Sequence, residues 1–257
     1  MTVAPKKALG QHFLVDQNIL GVIGRMSALA SADVVLEVGP GLGVLTRYLA
    51  ERVARVHSIE LDRSLEQHLR DALVGVSNVD LVWGDALTVA VDDLEPQPGK
   101  LVANLPYNVA TPLVVETLEH ASSITLWCVM VQREVADRFF AEPRTKAYGA
   151  VSVLVQLSAR RTGFHAVSPH VFRPPPRVQS ALVAFERSPI APIASVRPVV
   201  EAAFAHRRKT AANAIAHAGL APREQIVEAL ASIGHPPNAR AEELTPDEFV
   251  ALAEALR

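Results

Sequence analysis

Across the first two thirds of the chain, short β-branched and aliphatic runs alternate with stretches whose apolar positions recur at helical spacing. This is the pattern of a parallel sheet wrapped by crossover helices. The runs VVLEV (34–38), ARVHSIE (54–60), VDLVWGD (79–85), KLVAN (100–104) and ITLWCVMVQ (124–132) are predicted strands. Ahead of the first, Asp16 is placed to cap a helix carrying Ile19, Ile23, Met26 and Ala30 on one face. After the fifth, 133–140 and 149–159 are predicted helical. The stretch 177–187 then alternates as a strand closing an antiparallel edge, a common addition to mainly parallel sheets.

The pattern changes at SPIAPIASVRP, which holds three prolines in eleven residues, and beyond it every periodic segment is helical. A domain boundary is therefore expected near Ser188, dividing the chain into 1–187 and 188–257. Four helices are predicted in the tail, near 197–206, 209–218, 223–233 and 246–256. The last has the clearest start: Thr245 can cap it, Pro246 suits the first helical position, and Glu248 completes a capping box. The expected fold class is α/β, with a small all-helical C-terminal domain.

Composition narrows the function classes. The 257 residues are 49% hydrophobic but only 5% aromatic, so the core must be built mainly from Ala, Val, Leu and Ile. No apolar run approaches the roughly 18 to 20 residues of a membrane span, and MTVAPKKALGQHFL lacks the apolar core of a secretory signal; a cytoplasmic protein with no membrane partner is expected. Cys128 is the only cysteine and the nine histidines lack ligand spacing, so no metal site is expected. The net charge of −2 does not announce a nucleic-acid partner, but its distribution points to one. Arg160, Arg161, Arg173 and Arg177 have no acidic residue among them, and Arg207, Arg208 and Lys209 are consecutive. Both groups are candidate phosphate contacts; the alternative is ordinary solvated surface.

Candidate chemistry collects at the strand ends. VVLEV runs into GPGLG, which places Gly39, Gly41 and Gly43 where the chain bends and a ligand can approach its backbone. Glu60, with Leu61 after it, ends the second strand, where a carboxylate can accept both hydroxyls of a ribose. Asp85, with Ala86 after it, follows the third strand and can accept from an adenine amine, while 82–86 flanks the ring. Three strand ends thus converge on one adenosine, either of S-adenosylmethionine or of NAD.

The fourth strand separates these two. It ends in Asn104, Leu105, Pro106 and Tyr107, which resembles the NPPY-like motif of methyltransferases acting on exocyclic amines. An adenine N6 is a poor nucleophile because its lone pair is delocalised into the ring. The Asn104 side-chain oxygen and the Leu105 carbonyl can hold its hydrogens and favour a pyramidal nitrogen. Pro106 stiffens the turn and has no N–H to compete. Tyr107 offers a face on which the base stacks. The bland alternative is an Asn-Pro turn leading into a helix capped by Thr111. Phe172, in the extended proline-rich stretch HVFRPPPRVQS, is proposed as the opposing wall of the base pocket; the alternative is that it packs into the core.

These residues carry a wider resemblance. GQHFL (10–14), EVGPGLGVLT (37–46), IELD (59–62), GDAL (84–87), NLPYNVATPL (104–113), VQREVADR (131–138), YGAVSVLVQ (148–156), VFRPPPRVQSALV (171–183) and FAHRRKTAANAI (204–215) are similar, in order and spacing, to the bacterial KsgA (RsmA) ribosomal RNA adenine dimethyltransferase family. The resemblance implies a Rossmann-like class I methyltransferase sheet and S-adenosylmethionine as donor. It also implies N6,N6-dimethylation of two adjacent adenosines in a hairpin loop near the 3′ end of 16S ribosomal RNA. The implied partner is an immature small subunit, met by a monomeric enzyme with a role in its maturation. By motif position, the family's cofactor contacts fall on His12, Leu14, Gly39, Glu60, Asp85 and Asn104. Two positions depart from the family pattern: His12 replaces the commoner asparagine, and Ala211 stands where leucine is usual. Rival readings are an Erm-type methyltransferase of large-subunit RNA, a non-catalytic RNA-binding assembly factor and, more distantly, a dehydrogenase.

Overall fold

Val35, Leu36 and Val38 of the first predicted strand are buried, as are Leu101, Val102 and Ala103 of the fourth, so neither face of these strands meets solvent and their sequences do not alternate. The computed structural model describes Lys6, residues 11–206 and residues 208–257. Its chain begins with β1 (Phe13–Leu14) and α1 (Gln17–Met26), whose N-cap is Asp16, as expected; Ala30 lies beyond the helix end. There follow β2 (Val34–Val38), α2 (Val44–Ala50), β3 (Arg55–Glu60), α3 (Glu66–Ala72) and β4 (Val79–Trp83). Next come β5 (Lys100–Asn104), α4 (Ala110–His120), β6 (Leu126–Gln132), α5 (Arg133–Phe139) and α6 (Ala150–Gln156). Three strands complete the series: β7 (Ala159–Val167), β8 (Phe172–Arg173) and β9 (Ser180–Arg187).

The main sheet has the order β4-β3-β2-β5-β6-β9-β7. β2 pairs in parallel with both β3 and β5, so the chain builds outward on one side of β2 and then returns to its other side. In open α/β sheets a crevice forms at the carboxyl ends of the strands where the order reverses in this way. The turns after Val38 and Asn104 consequently emerge side by side.

β9 is antiparallel to β6, as the sequence pattern predicts, but it does not close the sheet. That place belongs to β7, which covers a stretch without predicted structure. The reason is local: β7 is exposed at most of its positions, so its sequence lacks the period of two that marks a half-buried strand.

The contacts divide the chain into two compact units, Met1–Ala136 with Arg161–Arg187, and Asp137–Arg160 with Ser188–Arg257. One crossing coincides with the expected boundary at Ser188. The segment Asp137–Arg160, read from sequence as part of the first domain, packs with the tail helices α7 (Ile193–Phe204), α8 (Ala211–His217), α9 (Arg223–Ser232) and α10 (Pro246–Ala255). Periodicity shows that a segment is helical; it does not show which face will cover it. Here the Tyr148 hydroxyl donates to Leu244 O at 2.7 Å, and its ring meets Phe204, which in turn meets Phe249.

α7 starts four residues before its predicted position and contains Pro198, because the buried Ile193, Val196, Val200 and Ala203 keep helical spacing through the proline. The Thr245–Glu248 capping box forms as expected. Ala211 is buried and its amide donates to Ala239 O at 2.8 Å, so the smaller residue is accommodated.

Candidate functional site

The first unit has a cavity at the carboxyl ends of β2, β3, β4 and β5, and it gathers residues from five separate motifs. His12, Leu14, Gly39, Gly41, Glu60, Leu61, Asp85, Ala86, Asn104, Leu105, Pro106 and Tyr107 all line it.

Its floor is the turn after β2. Gly39, Gly41 and Gly43 have φ values of 74°, 57° and 78°, a region that side-chain-bearing residues rarely adopt. Space is as restrictive as backbone angle at two of them. A Cβ on Gly39 would lie 3.2 Å from the Pro106 ring, and one on Gly41 would lie 3.0 Å from the Phe13 ring. The glycine turn and the tip of β5 are therefore in direct contact.

Glu60 stands beside this turn with 6% of its surface exposed. Its carboxylate accepts from the Gly41 N–H at 3.3 Å and the Asp62 N–H at 2.8 Å. Each oxygen thus has one backbone donor and keeps capacity for a ligand hydroxyl. Burial raises the Glu60 carboxyl above its ordinary range, against these hydrogen bonds. Leu61 is 56% exposed, one of few large apolar side chains left open to solvent, and with Ala86 it supplies apolar wall to the cavity. The Asp85 side chain accepts from the Leu87 N–H at 3.0 Å, which closes the turn after β4. A polar base with two faces, a ribose and a compact charged tail fit this set of donors, acceptors and apolar walls; S-adenosylmethionine has those parts.

The tip of β5 is held from two sides. The Leu105 N–H donates to Met130 O at 3.0 Å, anchoring the peptide to β6. The Asn104 amide nitrogen donates to His12 O at 3.2 Å, which leaves the side-chain oxygen as its acceptor. The Tyr107 hydroxyl bonds the Ser180 hydroxyl at 2.6 Å, and its ring lies 5.4 Å from that of His12. His12 in turn donates from Nδ1 to Pro174 O at 2.8 Å. The residue that departs from the family pattern thus braces both Asn104, through its backbone, and Tyr107, through its ring.

Phe172 is a correction. It is 1% exposed, belongs to the hydrophobic core with Leu14, Ile19 and Leu182, and does not line the cavity. β8 pairs antiparallel with β1, placing Phe172 opposite Leu14, and this two-stranded ribbon turns the ring inward. The core alternative holds, and no opposing aromatic wall comes from this residue.

Sequence reasoning also left out residues that line the cavity, among them Gln11, Phe13, Glu37 and Asn108. Glu37 had a readable signal, a carboxylate inside a β-branched run. It is 1% exposed and accepts from the Ser58 hydroxyl at 2.8 Å. Burial pushes its carboxyl up to about 7. The folded chain then keeps a proton that the unfolded chain releases above its ordinary value of 4.5, so this group's contribution to stability falls as pH rises from about 4.5 to about 7. Glu37→Gln should remove that slope. Denaturation midpoints of the ligand-free variant and parent across pH 5 to 8 check this; parallel curves would show that Glu37 does not titrate there.

The candidate RNA contacts are distributed over both units. Arg161, Arg173 and Arg177 are exposed on the first unit; Arg160 and Arg208 are exposed, and Lys209 half-buried, on the second. Arg207 lies outside the described residues. Among the described residues no helix is long and apolar enough to cross a membrane, and no cluster of metal-ligating side chains occurs.

Comparison with known proteins places this geometry. The family profile described as ribosomal RNA adenine dimethylase matches residues 4–257. The chain is 48% identical to a ribosomal RNA small subunit methyltransferase A of Rubrobacter xylanophilus, covering 98% of this chain and 95% of that protein. It is 42% identical to the protein of the same name from Pelotomaculum thermopropionicum, covering 98% and 92%. Among solved structures, a dimethyladenosine transferase from Plasmodium falciparum superposes with a TM-score of 0.79 at 23% identity, covering 94% of this chain and 96% of that one. The 23S rRNA methyltransferase ErmE superposes with a TM-score of 0.69 at 28% identity, covering 95% and 99%.

Proposed function

Because the chain belongs to the ribosomal RNA adenine dimethylase family, we propose that the cavity at the carboxyl ends of β2 to β5 is where an adenine amine of small-subunit ribosomal RNA meets its methyl donor. The protein is an S-adenosylmethionine-dependent ribosomal RNA adenine dimethyltransferase. The observation that carries the site assignment is one cavity lined together by the glycine turn, Glu60, Asp85 and Asn104–Tyr107. Bound in it, S-adenosylmethionine would supply an electrophilic methyl group.

The chain's own residues supply binding and orientation. Glu60 holds the ribose hydroxyls, Asp85 meets the adenine amine of the donor, and Leu61 and Ala86 flank its ring. His12, Leu14, Gly39 and Gly41 complete that half of the pocket. Asn104 Oδ1 and the Leu105 carbonyl accept the target amine's hydrogens and stabilise positive charge as it develops on nitrogen, while Tyr107 stacks on the base. The alkylated amine is a cation that loses its proton readily, so no general base is needed, and the contribution of the site is mainly positioning. The first unit is assigned to methyl transfer. The helical unit, with Arg207, Arg208 and Lys209, is assigned to holding RNA, with Arg160, Arg161, Arg173 and Arg177 as further contacts.

Small-subunit RNA is favoured over large-subunit RNA because relatives up to 48% identical bear the small-subunit name, against 28% for ErmE. The substrate we favour is an immature small subunit, met by a monomer in the cytoplasm, because looped RNA is easily unstacked before assembly buries it. Incubation with labelled S-adenosylmethionine and unmethylated small subunits should yield N6,N6-dimethyladenosine on digestion. Label confined to large subunits, or absent from adenosine, would overturn the assignment.

A further inference from the structure

Asp62 lies two residues past Glu60 and is buried, with 5% of its surface exposed. It begins the 3-10 turn Arg63–Leu65, and one of its oxygens makes the bonds such a cap requires: Oδ1 accepts from the Ser64 N–H at 3.0 Å and from the Ser64 hydroxyl at 2.6 Å. The turn needs nothing more. Yet Oδ1 also accepts from Lys6 Nζ at 2.6 Å, and Oδ2 accepts from Gln11 Nε2 at 3.0 Å, donors 56 and 51 residues away in the chain. The Lys6 N–H donates to Gln11 Oε1 at 2.8 Å, which leaves the Gln11 amide nitrogen turned toward Asp62. Burial pushes the Asp62 carboxyl up, but hydrogen bonds from Lys6, Ser64 and Gln11 prevail and hold it at about 2, so near neutral pH it offers acceptor oxygens and no donor.

What the Gln11 bond holds is a short run that spans the cavity. Gln11, His12, Phe13 and Leu14 all line it. The run is fixed at one end by Asp62, whose own N–H donates to Glu60 at 2.8 Å. One residue on, the His12 carbonyl accepts from the Asn104 amide nitrogen at 3.2 Å. Phe13 then lies against the glycine turn, where a Cβ on Gly41 would come within 3.0 Å of its ring, and Leu14 pairs with Phe172. The run therefore joins the strand end that carries Glu60 to the strand end that carries Asn104. Asp62 itself does not line the cavity, so what it does there it does through Glu60 and Gln11.

We propose that Asp62 is a positioning residue for methyl transfer: by holding Gln11 it fixes the His12 carbonyl, and that carbonyl keeps the Asn104 amide turned so that its oxygen faces the target amine. This rests on the reading of Asn104 as the acceptor for that amine. The last torsion of an asparagine side chain has a broad, roughly two-fold preference, so without a fixed partner on nitrogen its oxygen and nitrogen exchange places at little cost. The exchanged form presents a donor to an amine that is itself a donor. A buried carboxylate is suited to preventing this, because a hydrogen bond to an ionised acceptor is about twice as strong as one between neutral groups.

The test uses the full chain and single-turnover methylation of unmethylated small subunits at saturating S-adenosylmethionine. Asp62→Ala and Gln11→Ala should each lower the rate about tenfold in the parent, since the acceptor is still present but less firmly aimed. In an Asn104→Ala background neither should lower it further, because the effect runs through Asn104. A residue that only supports the fold would lower both backgrounds by the same factor, and that result would overturn the proposal. Gln11→Ala leaves the Asp62 bonds to Lys6 and Ser64 in place, so it decides the matter if Asp62→Ala does not fold. In ligand-free protein isotopically labelled at asparagine, the Asn104 side-chain amide signal, identified by its loss in Asn104→Ala, should shift in both variants; an unmoved signal would also overturn the proposal. Full turnover in Asn104→Ala itself would overturn the amine-binding reading beneath, and this proposal with it.

Discussion

Asn104→Ala should lower kcat for methyl transfer on the order of 100- to 1,000-fold, the scale of removing one preorganised polar group aimed at developing charge, while S-adenosylhomocysteine affinity changes far less. The side chain has two functions that can be separated. Its nitrogen donates to His12 O at 3.2 Å, a structural bond, and its oxygen is the acceptor offered to the target amine. Asn104→Asp keeps acceptor oxygens but loses the donor to His12. If the acceptor is what matters, the aspartate variant should retain clearly more activity than the alanine variant. Equal loss in both would assign the effect to the brace, and full turnover in the alanine variant would falsify the amine-binding role. Single-turnover rates alongside calorimetric binding of S-adenosylhomocysteine distinguish these outcomes.

The second large effect is expected on the donor side. Glu60→Ala should weaken S-adenosylhomocysteine binding roughly 100-fold or more, since hydrogen bonds to a charged acceptor contribute about 1.5 to 3 kcal/mol each and two ribose hydroxyls would lose theirs. The same change strips the Gly41 and Asp62 amides of their acceptor, so the turn itself should loosen. Glu60→Gln, which keeps one acceptor oxygen, should lose less. Burial raises the Glu60 carboxyl, and ribose hydroxyls favour its ionised form, so parent binding should strengthen as pH rises through its titration, and that dependence should vanish in the glutamine variant. Titrations over a pH series check both claims. Binding that is pH-independent in the parent would remove the assigned role.

Much of the cavity was legible from sequence because its elements are continuous in the chain. A parallel strand buried on both faces gives an unbroken β-branched run, and the residues that matter follow it directly: glycines after Val38, Glu60 closing β3, Asp85 just beyond β4, and Asn104 to Tyr107 at the end of β5. What escaped depends on contacts distant in sequence. Phe172 turns inward because β8 pairs with β1, on the other side of the chain's first unit in sequence, and nothing near HVFRPPP signals that pairing. β7 escaped because exposure on both faces erases alternation, and Asp137–Arg160 because its covering helices come after Ser188. Glu37 was visible but had no assigned role; only its burial gives it one.

The contact between Gly39 and Pro106 sets a clearance shared by two motifs. An added methyl at position 39 would act as a shim, pushing the donor floor and the acceptor tip apart even if each kept its own ligand. Since displacements near 1 Å can cost about 100-fold in rate, such a variant could load both reactants normally and still turn over slowly. Mutational tolerance at the two positions is therefore joint, and a change at either is best compensated at the other.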